Sequence, residues 1–157
     1  MNNPGISMPG DKKKRLILLA RRILKSLSSN GAHTDVSAVD PKLSGRTYAI
    51  PFDEVWKAAV TVSRKRMRGW SVLYRDDRSG VIVAEALTLL LRSKDDIRIS
   101  IQLDENGQTR VDLRATSQQK KRDWGRNFRR ISKFLISLDN ELAVSPEHIL
   151  NQSWTNW

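Results

Sequence analysis

The chain has 157 residues, with 28 Lys and Arg against 17 Asp and Glu, a formal net charge of +11 and no cysteine. That length suits one domain with flanking segments and is enough to bury a real core. The missing cysteine excludes disulfides, thiolate metal sites and cysteine nucleophiles, while the basic balance favours phosphate-bearing partners, either lipid headgroups or nucleic acid.

Residues 1–10 hold two Pro and two Gly and read as an irregular arm. Residues 11–29 follow as a helix with Asp11 at its N-cap. Wound at roughly 100° per residue, Leu16, Ile17, Leu19, Ala20, Ile23, Leu24 and Leu27 share one face. Arg15, Arg21, Arg22 and Lys25 take the other, with Leu18 alone among the apolar residues on the polar side. A basic amphipathic helix suits an anionic membrane surface. No run approaches the roughly 20 apolar residues of a transmembrane span. The run Leu16 to Ala20 is broken at once by Arg21-Arg22, which argues against a signal peptide. The expected location is cytoplasmic, peripheral at the inner face of a membrane.

Residues 30–45 are polar, without period, and read as a linker; a globular domain is expected over 46–142. Arg46 to Ile50 reads as a strand. Pro51 and Asp53 open a helix in which Val55, Trp56, Ala59, Val60, Ser63 and Met67 recur at helical spacing, and Gly69 ends it. Trp70 to Arg75 and Val81 to Leu87 form a pair about the turn Asp76 to Gly80. Ile97 to Leu103 alternates strictly, Asn106-Gly107 marks a hairpin, and Val111, Leu113 and Ala115 continue the alternation. One face of this antiparallel sheet should be apolar and the other wet. A last helix, capped by Asp123, carries Trp124, Phe128, Ile131, Leu135, Leu138 and Leu142 at steps of three and four. The expected fold is α+β in the order β-α-β-β-β-β-α, with the helices on one sheet face. The N-terminal amphipathic helix precedes it, and an extended tail, 143–157, ends in Trp154 and Trp157.

This order and one local motif resemble the uncharacterised family catalogued as domain of unknown function 1499. The residues that carry the resemblance are Val55-Trp56, Asp95-Asp96-Ile97-Arg98-Ile99, Val111-Asp112-Leu113-Arg114 and, most specifically, Asp123-Trp124-Gly125-Arg126-Asn127 running into Arg129-Arg130-Ile131. It covers Arg46 to Leu142. The family pattern has a serine- and arginine-rich run before its Asp-x-Gly-x-Asn, where this chain reads Ala115-Thr116-Ser117-Gln118-Gln119-Lys120-Lys121-Arg122. A Cys-containing segment that commonly precedes the family domain has no counterpart here. The resemblance implies a fold and no activity.

No reaction is legible in the residues. His33 and His148 sit in the linker and the tail, and a His33-x-Asp35 pair is too few ligands for a metal site. Asp95 and Asp96 are neighbours on a strand and point to opposite faces, while Glu85 has no evident partner. Phosphate loops and nucleophile elbows are absent. Neither an enzymatic activity nor a cofactor, metal or small-molecule substrate is expected. At Asp123, Gly125 and Asn127 the structural reading is a cap, a close-packing glycine and a backbone-satisfying amide. The alternative is an anion site built from Lys120, Lys121, Arg122 and Asn127 at the helix N-terminus. Arg98, Gln102, Arg110, Asp112 and Arg114 on the wet sheet face, with the basic cluster 120–133, would suit a nucleic-acid module. The leading expectation is a non-enzymatic accessory or scaffold protein docked on an anionic membrane surface or an integral membrane protein complex, for example a photosynthetic or respiratory one. Its docking residues are Arg15, Leu16, Leu19, Arg21, Arg22, Ile23, Lys25 and Leu27, with Trp154 and Trp157 at the far end.

Overall fold

The computed structural model describes residues 45–88, 93–118, 125–145 and 148–150, together with 32–33 and the single position Leu18. A two-residue strand, β1 (Ala32–His33), is followed by β2 (Arg46–Tyr48) and α1 (Phe52–Thr61), which widens into one π-helical segment, Val62–Arg66. Four long strands come next: β3 (Trp70–Asp76), β4 (Val81–Thr88), β5 (Ser93–Leu103) and β6 (Thr109–Ser117). The helix α2 (Arg126–Glu141) closes the order. All pairings are antiparallel; the sheet runs β1-β6-β5-β4-β3, and β2 also lies on β6. From Arg46 to Glu141 this is the expected α+β succession.

The alternating pattern explains the core. Ile82, Ala84 and Ala86 of β4, Ile97, Ile99 and Ile101 of β5, and Val111, Leu113 and Ala115 of β6 all face one side. There they meet Val55, Ala59 and Val62 of the first helix and Ile131, Phe134, Leu135 and Leu138 of the last. Trp70 stacks on Phe134 with ring centroids 5.8 Å apart. The π-helical turn closes with the Met67 N–H donating to the Val62 carbonyl at 3.1 Å, and Ser63 Oγ donates to the Ala59 carbonyl at 2.8 Å. The extra residue in that turn sends Met67 inward and leaves Arg64, Lys65 and Arg66 on the surface.

The turns follow their chemistry. Asp76 accepts from Ser79 Oγ at 2.8 Å and from the Arg78 N–H at 3.1 Å, which holds its carboxyl below the ordinary carboxylate range, chiefly through Ser79. In the next hairpin Asp104 Oδ1 accepts from the N–H groups of Asn106 and Gln108, both at 2.9 Å, and Gly107 has φ +74°.

Several expectations are corrected. Within the polar stretch 30–45 lies β1, whose Ala32 and His33 are opposite Ala115 and Arg114. β5 starts at Ser93 rather than Ile97, and β2 stops at Tyr48. The chain beyond Leu142 does not simply trail away. Ile149 is buried and bridges to Tyr48, while the Leu150 N–H donates to the Thr47 carbonyl at 2.9 Å. Trp154 and Trp157 lie outside the described residues, as does the segment 11–29 apart from Leu18.

The far face of the sheet is not uniformly wet either. Between Val72 and Tyr74 the register of β3 slips by one residue, so Leu73 and Tyr74 both pack against Val81 and Val83. These four form a second apolar cluster on the side away from both helices.

Candidate functional site

Among the described residues a dense polar cluster forms where the end of β4, the start of β5 and the first turns of α2 converge. Alternation along β5 turns Asp95 toward the helices, on the face of Ile97 and Ile99, and Asp96 to the opposite side, as expected for strand neighbours. The Asp95 carboxylate is 0% exposed. Arg126 grips it two-handed, Nε donating to Oδ2 at 3.1 Å and Nη2 to Oδ1 at 3.2 Å, and Arg130 Nη1 forms a second ion pair with it. Arg126 and Arg130 stand four residues apart on α2, so one helix face delivers both guanidinium groups.

Around this triad the remaining donors are largely used. Arg130 donates from Nη1 to Asn127 Oδ1 at 3.2 Å and from Nη2 to Thr88 Oγ1, and Arg126 Nη2 reaches Ser117 Oγ at 3.5 Å. Burial lowers the pKa of Arg130 from its ordinary value, a cost that the Asp95 carboxylate offsets. Ser93, opposite Thr88 on the β4–β5 ladder, has a buried hydroxyl without a hydrogen-bond partner. The arrangement clamps the first turns of α2 to the strand beneath. An anion does sit between these guanidinium groups, and the chain supplies it.

The sequence-derived sites are distributed as follows. Asn127 is buried and accepts from the Arg130 side chain, a partner other than the backbone groups expected for it. Gly125 is the N-cap of α2, with φ +72° and no side-chain cap bond. A Cβ there would meet nothing within 4 Å, so the glycine serves conformation rather than close packing. Asp123, Trp124, Lys120, Lys121 and Arg122 lie outside the described residues, as do Arg15, Leu16, Leu19, Arg21, Arg22, Ile23, Lys25 and Leu27. Leu18 is helical and 64% exposed, matching its assignment to the polar side. Glu85, read as unpaired, is bridged by Lys94 Nζ at 2.8 Å and accepts from Gln118 Nε2 at 3.2 Å; the same amide also donates to Asp96. His148 is exposed, and no group of three or more metal-capable residues occurs among the described residues.

On the face expected to be basic and wet, Arg110 is held by Asp112 through bonds of 2.8 and 2.7 Å. Arg98 and Arg114 oppose each other across the β5–β6 ladder. Their Nε atoms are shut off from solvent and have no hydrogen-bond partner among the described residues. Elsewhere, Arg64, Lys65 and Arg68 after α1, and Arg129 and Lys133 on α2, are exposed and have no ion pair among the described residues.

The residues that sequence reasoning missed are Arg126 and Arg130 as partners of Asp95. The signal was present as an Arg-x-x-x-Arg step on the stripe that faces a strand carrying an inward aspartate.

The chain belongs to the family described as "Protein of unknown function (DUF1499)", whose model matches residues 22–138. The match begins well before Arg46, where the resemblance read from residues starts, and it takes in β1. No curated protein matches the chain.

Proposed function

We propose that this is a non-enzymatic accessory or scaffold protein that docks by charge on an anionic surface. That surface is the cytoplasmic leaflet of a membrane or the loops of an integral membrane protein complex. One contrast carries the reading. Arg46, Arg110, Arg126 and Arg130 each hold an aspartate within the body. Arg64, Lys65, Arg68, Arg129 and Lys133 stand exposed with no such counterion among the described residues. The first set serves the fold; the second is open to an external partner. The basic side chains Arg15, Arg21, Arg22 and Lys25 add to that field, and Trp154 and Trp157 would sit at the polar–apolar boundary that tryptophan favours. Among the described residues no helix is long and apolar enough to cross a membrane, and the association we propose is peripheral.

Flotation with phosphatidylserine-containing and with purely zwitterionic vesicles tests the reading. Binding to the first that salt abolishes, with none to the second, supports it; equal partition to neither overturns the membrane arm. Duplex DNA and single-stranded RNA belong in the same assay series as competitors. The nucleic-acid reading draws on the basic sheet face, where Arg110 is engaged by Asp112 and the Nε atoms of Arg98 and Arg114 are covered, so the membrane reading has more support.

A further inference from the structure

Of the arginines withdrawn from open solvent, Arg46, Arg110, Arg126 and Arg130 each hold an aspartate. Arg98 and Arg114 are also partly buried, yet they hold no carboxylate among the described residues. They stand directly opposite each other on β5 and β6, on the sheet face turned away from both helices. Partners in that position have Cβ atoms about 4.5–5.5 Å apart, and like charges there repel. The carboxylates two residues away on the same face are engaged elsewhere. Asp112 is gripped by Arg110, and Asp96 accepts from Gln118 Nε2.

Polar atoms without a partner gather at the same place. Arg98 Nε, Arg114 Nε and Thr116 Oγ1 are all shut off from solvent and make no hydrogen bond among the described residues. Thr116 follows Arg114 by two residues, so alternation along β6 puts both on one face. Each of the three can donate, and a buried donor left unmet costs stability. Two guanidinium groups and one hydroxyl thus turn donors toward a single patch of the sheet.

We propose that Arg98, Arg114 and Thr116 bind a phosphate monoester dianion. The match is one of charge and of number. A phosphomonoester carries about −1.5 to −2 charges at neutral pH and three strong acceptor oxygens. Each guanidinium fork can take a pair of oxygens in the two-pronged manner usual between arginine and phosphate. The threonine hydroxyl then has an acceptor as well. A carboxylate brings one charge and two oxygens, which suits a single arginine rather than a facing pair. Both arginines keep part of their surface in solvent, which gives the ligand a way in. Soluble phosphate esters and phosphatidic acid share this group, and the site reads what they share. It is separate from the docking surface proposed above, because both helices pack on the opposite face of the sheet.

Equilibrium dialysis of the full-length protein against radiolabelled inorganic phosphate, at constant ionic strength in chloride, tests the site. Saturable uptake that acetate displaces poorly is expected. Arg98→Gln and Arg114→Gln should each weaken it about 10- to 100-fold, the loss of one charge-assisted contact. Lys57→Gln, which removes an exposed cation from α1, should leave it unchanged. Arg98→Lys and Arg114→Lys keep the charge but lose the fork, so they too should weaken binding and decide the matter if a Gln variant fails to fold. Flotation on phosphatidic acid against phosphatidylserine vesicles separates the two sources. A preference for phosphatidic acid that the arginine variants abolish assigns the lipid headgroup; phosphate uptake without that preference assigns a soluble ester. Neither uptake nor preference, or binding that no arginine variant reduces, overturns the proposal. Uptake of a single-stranded oligonucleotide without uptake of phosphate overturns it in favour of nucleic acid. Docking by charge is read from phosphatidylserine vesicles with the arginine pair intact, so either claim can fail alone.

Discussion

Asp95 and Arg126, brought together from strand β5 and helix α2, meet through two hydrogen bonds of 3.1 and 3.2 Å around a carboxylate with no solvent contact. With Arg130 added, two cations share one buried anion. Removing that anion should cost more than the pair contributes, because both guanidinium groups then remain desolvated and unpaired. Asp95→Ala is expected to lower unfolding free energy by about 3–5 kcal/mol, read from urea denaturation. Added acetate or phosphate should recover part of the loss by occupying the vacated position. A loss well under 1 kcal/mol would mean that the arginines escape to water and the clamp is weak.

Tyr48 donates its hydroxyl to Asp139 at 2.7 Å, and burial first, then the Asp139 charge, pushes its pKa above the ordinary 10.0. The neutral phenol is the form the fold favours. Its contribution is complete below pH 10 and drains away as pH climbs further, since the unfolded chain releases the proton first. Above that pH the wild-type protein should lose about 1.4 kcal/mol of stability per pH unit from this group alone. Tyr48→Phe should start about 1 kcal/mol lower at neutral pH but show a shallower alkaline decline in melting temperature. Parallel curves for the two proteins would contradict the assignment.

Two glycines that share a left-handed φ should respond very differently to alanine. Gly80 has φ +63°, and a Cβ there would collide with the Ile101 carbonyl and crowd the Phe52 ring at 3.2 Å. Gly107 has φ +74° with open space around it. Gly107→Ala should cost about 1–2 kcal/mol, the left-handed penalty alone. Gly80→Ala adds a steric clash in a packed turn and should cost about 3 kcal/mol or more. Paired denaturation curves decide it, and equal losses would show that the Gly80 turn relaxes freely.

The combined variant Arg64→Gln, Lys65→Gln, Arg68→Gln removes three exposed cations that the fold does not use. Each is worth about 1 kcal/mol near an anionic leaflet, so vesicle affinity should fall by roughly a hundredfold while the melting temperature stays within experimental scatter. Unchanged affinity would move the docking surface elsewhere on the protein.

The long elements were legible because their apolar residues repeat with a single period. Ile97, Ile99 and Ile101 announce a strand, and Ile131, Leu135 and Leu138 a helix. The first residues of β5 were not legible, because Ser93, Lys94, Asp95 and Asp96 have no apolar alternation. They are strand only because Ser93 to Asp96 pair with Thr88 back to Glu85, and Asp95 is paid with two arginines from beyond β6. β1 is two residues long and carries no pattern at all. Nor could spacing show that Ile149 returns to Tyr48, a contact set by tertiary folding rather than by any local period. The candidate cluster was half visible: the basic residues of α2 were evident, but which of them turn inward depends on where Asp95 lies.

The slipped register at Leu73 has an effect beyond its local packing. Among the described residues β3 pairs with β4 alone and so ends the sheet on one side. A straight strand in that place would offer its free backbone groups to another molecule's strand, the first step toward amyloid-like stacking. The kink at Leu73 and the exposed Arg75 spoil that template, and at the opposite margin the described residues present only the short strands Ala32–His33 and Arg46–Tyr48. The protein thereby gains protection against self-polymerisation through its own sheet margins.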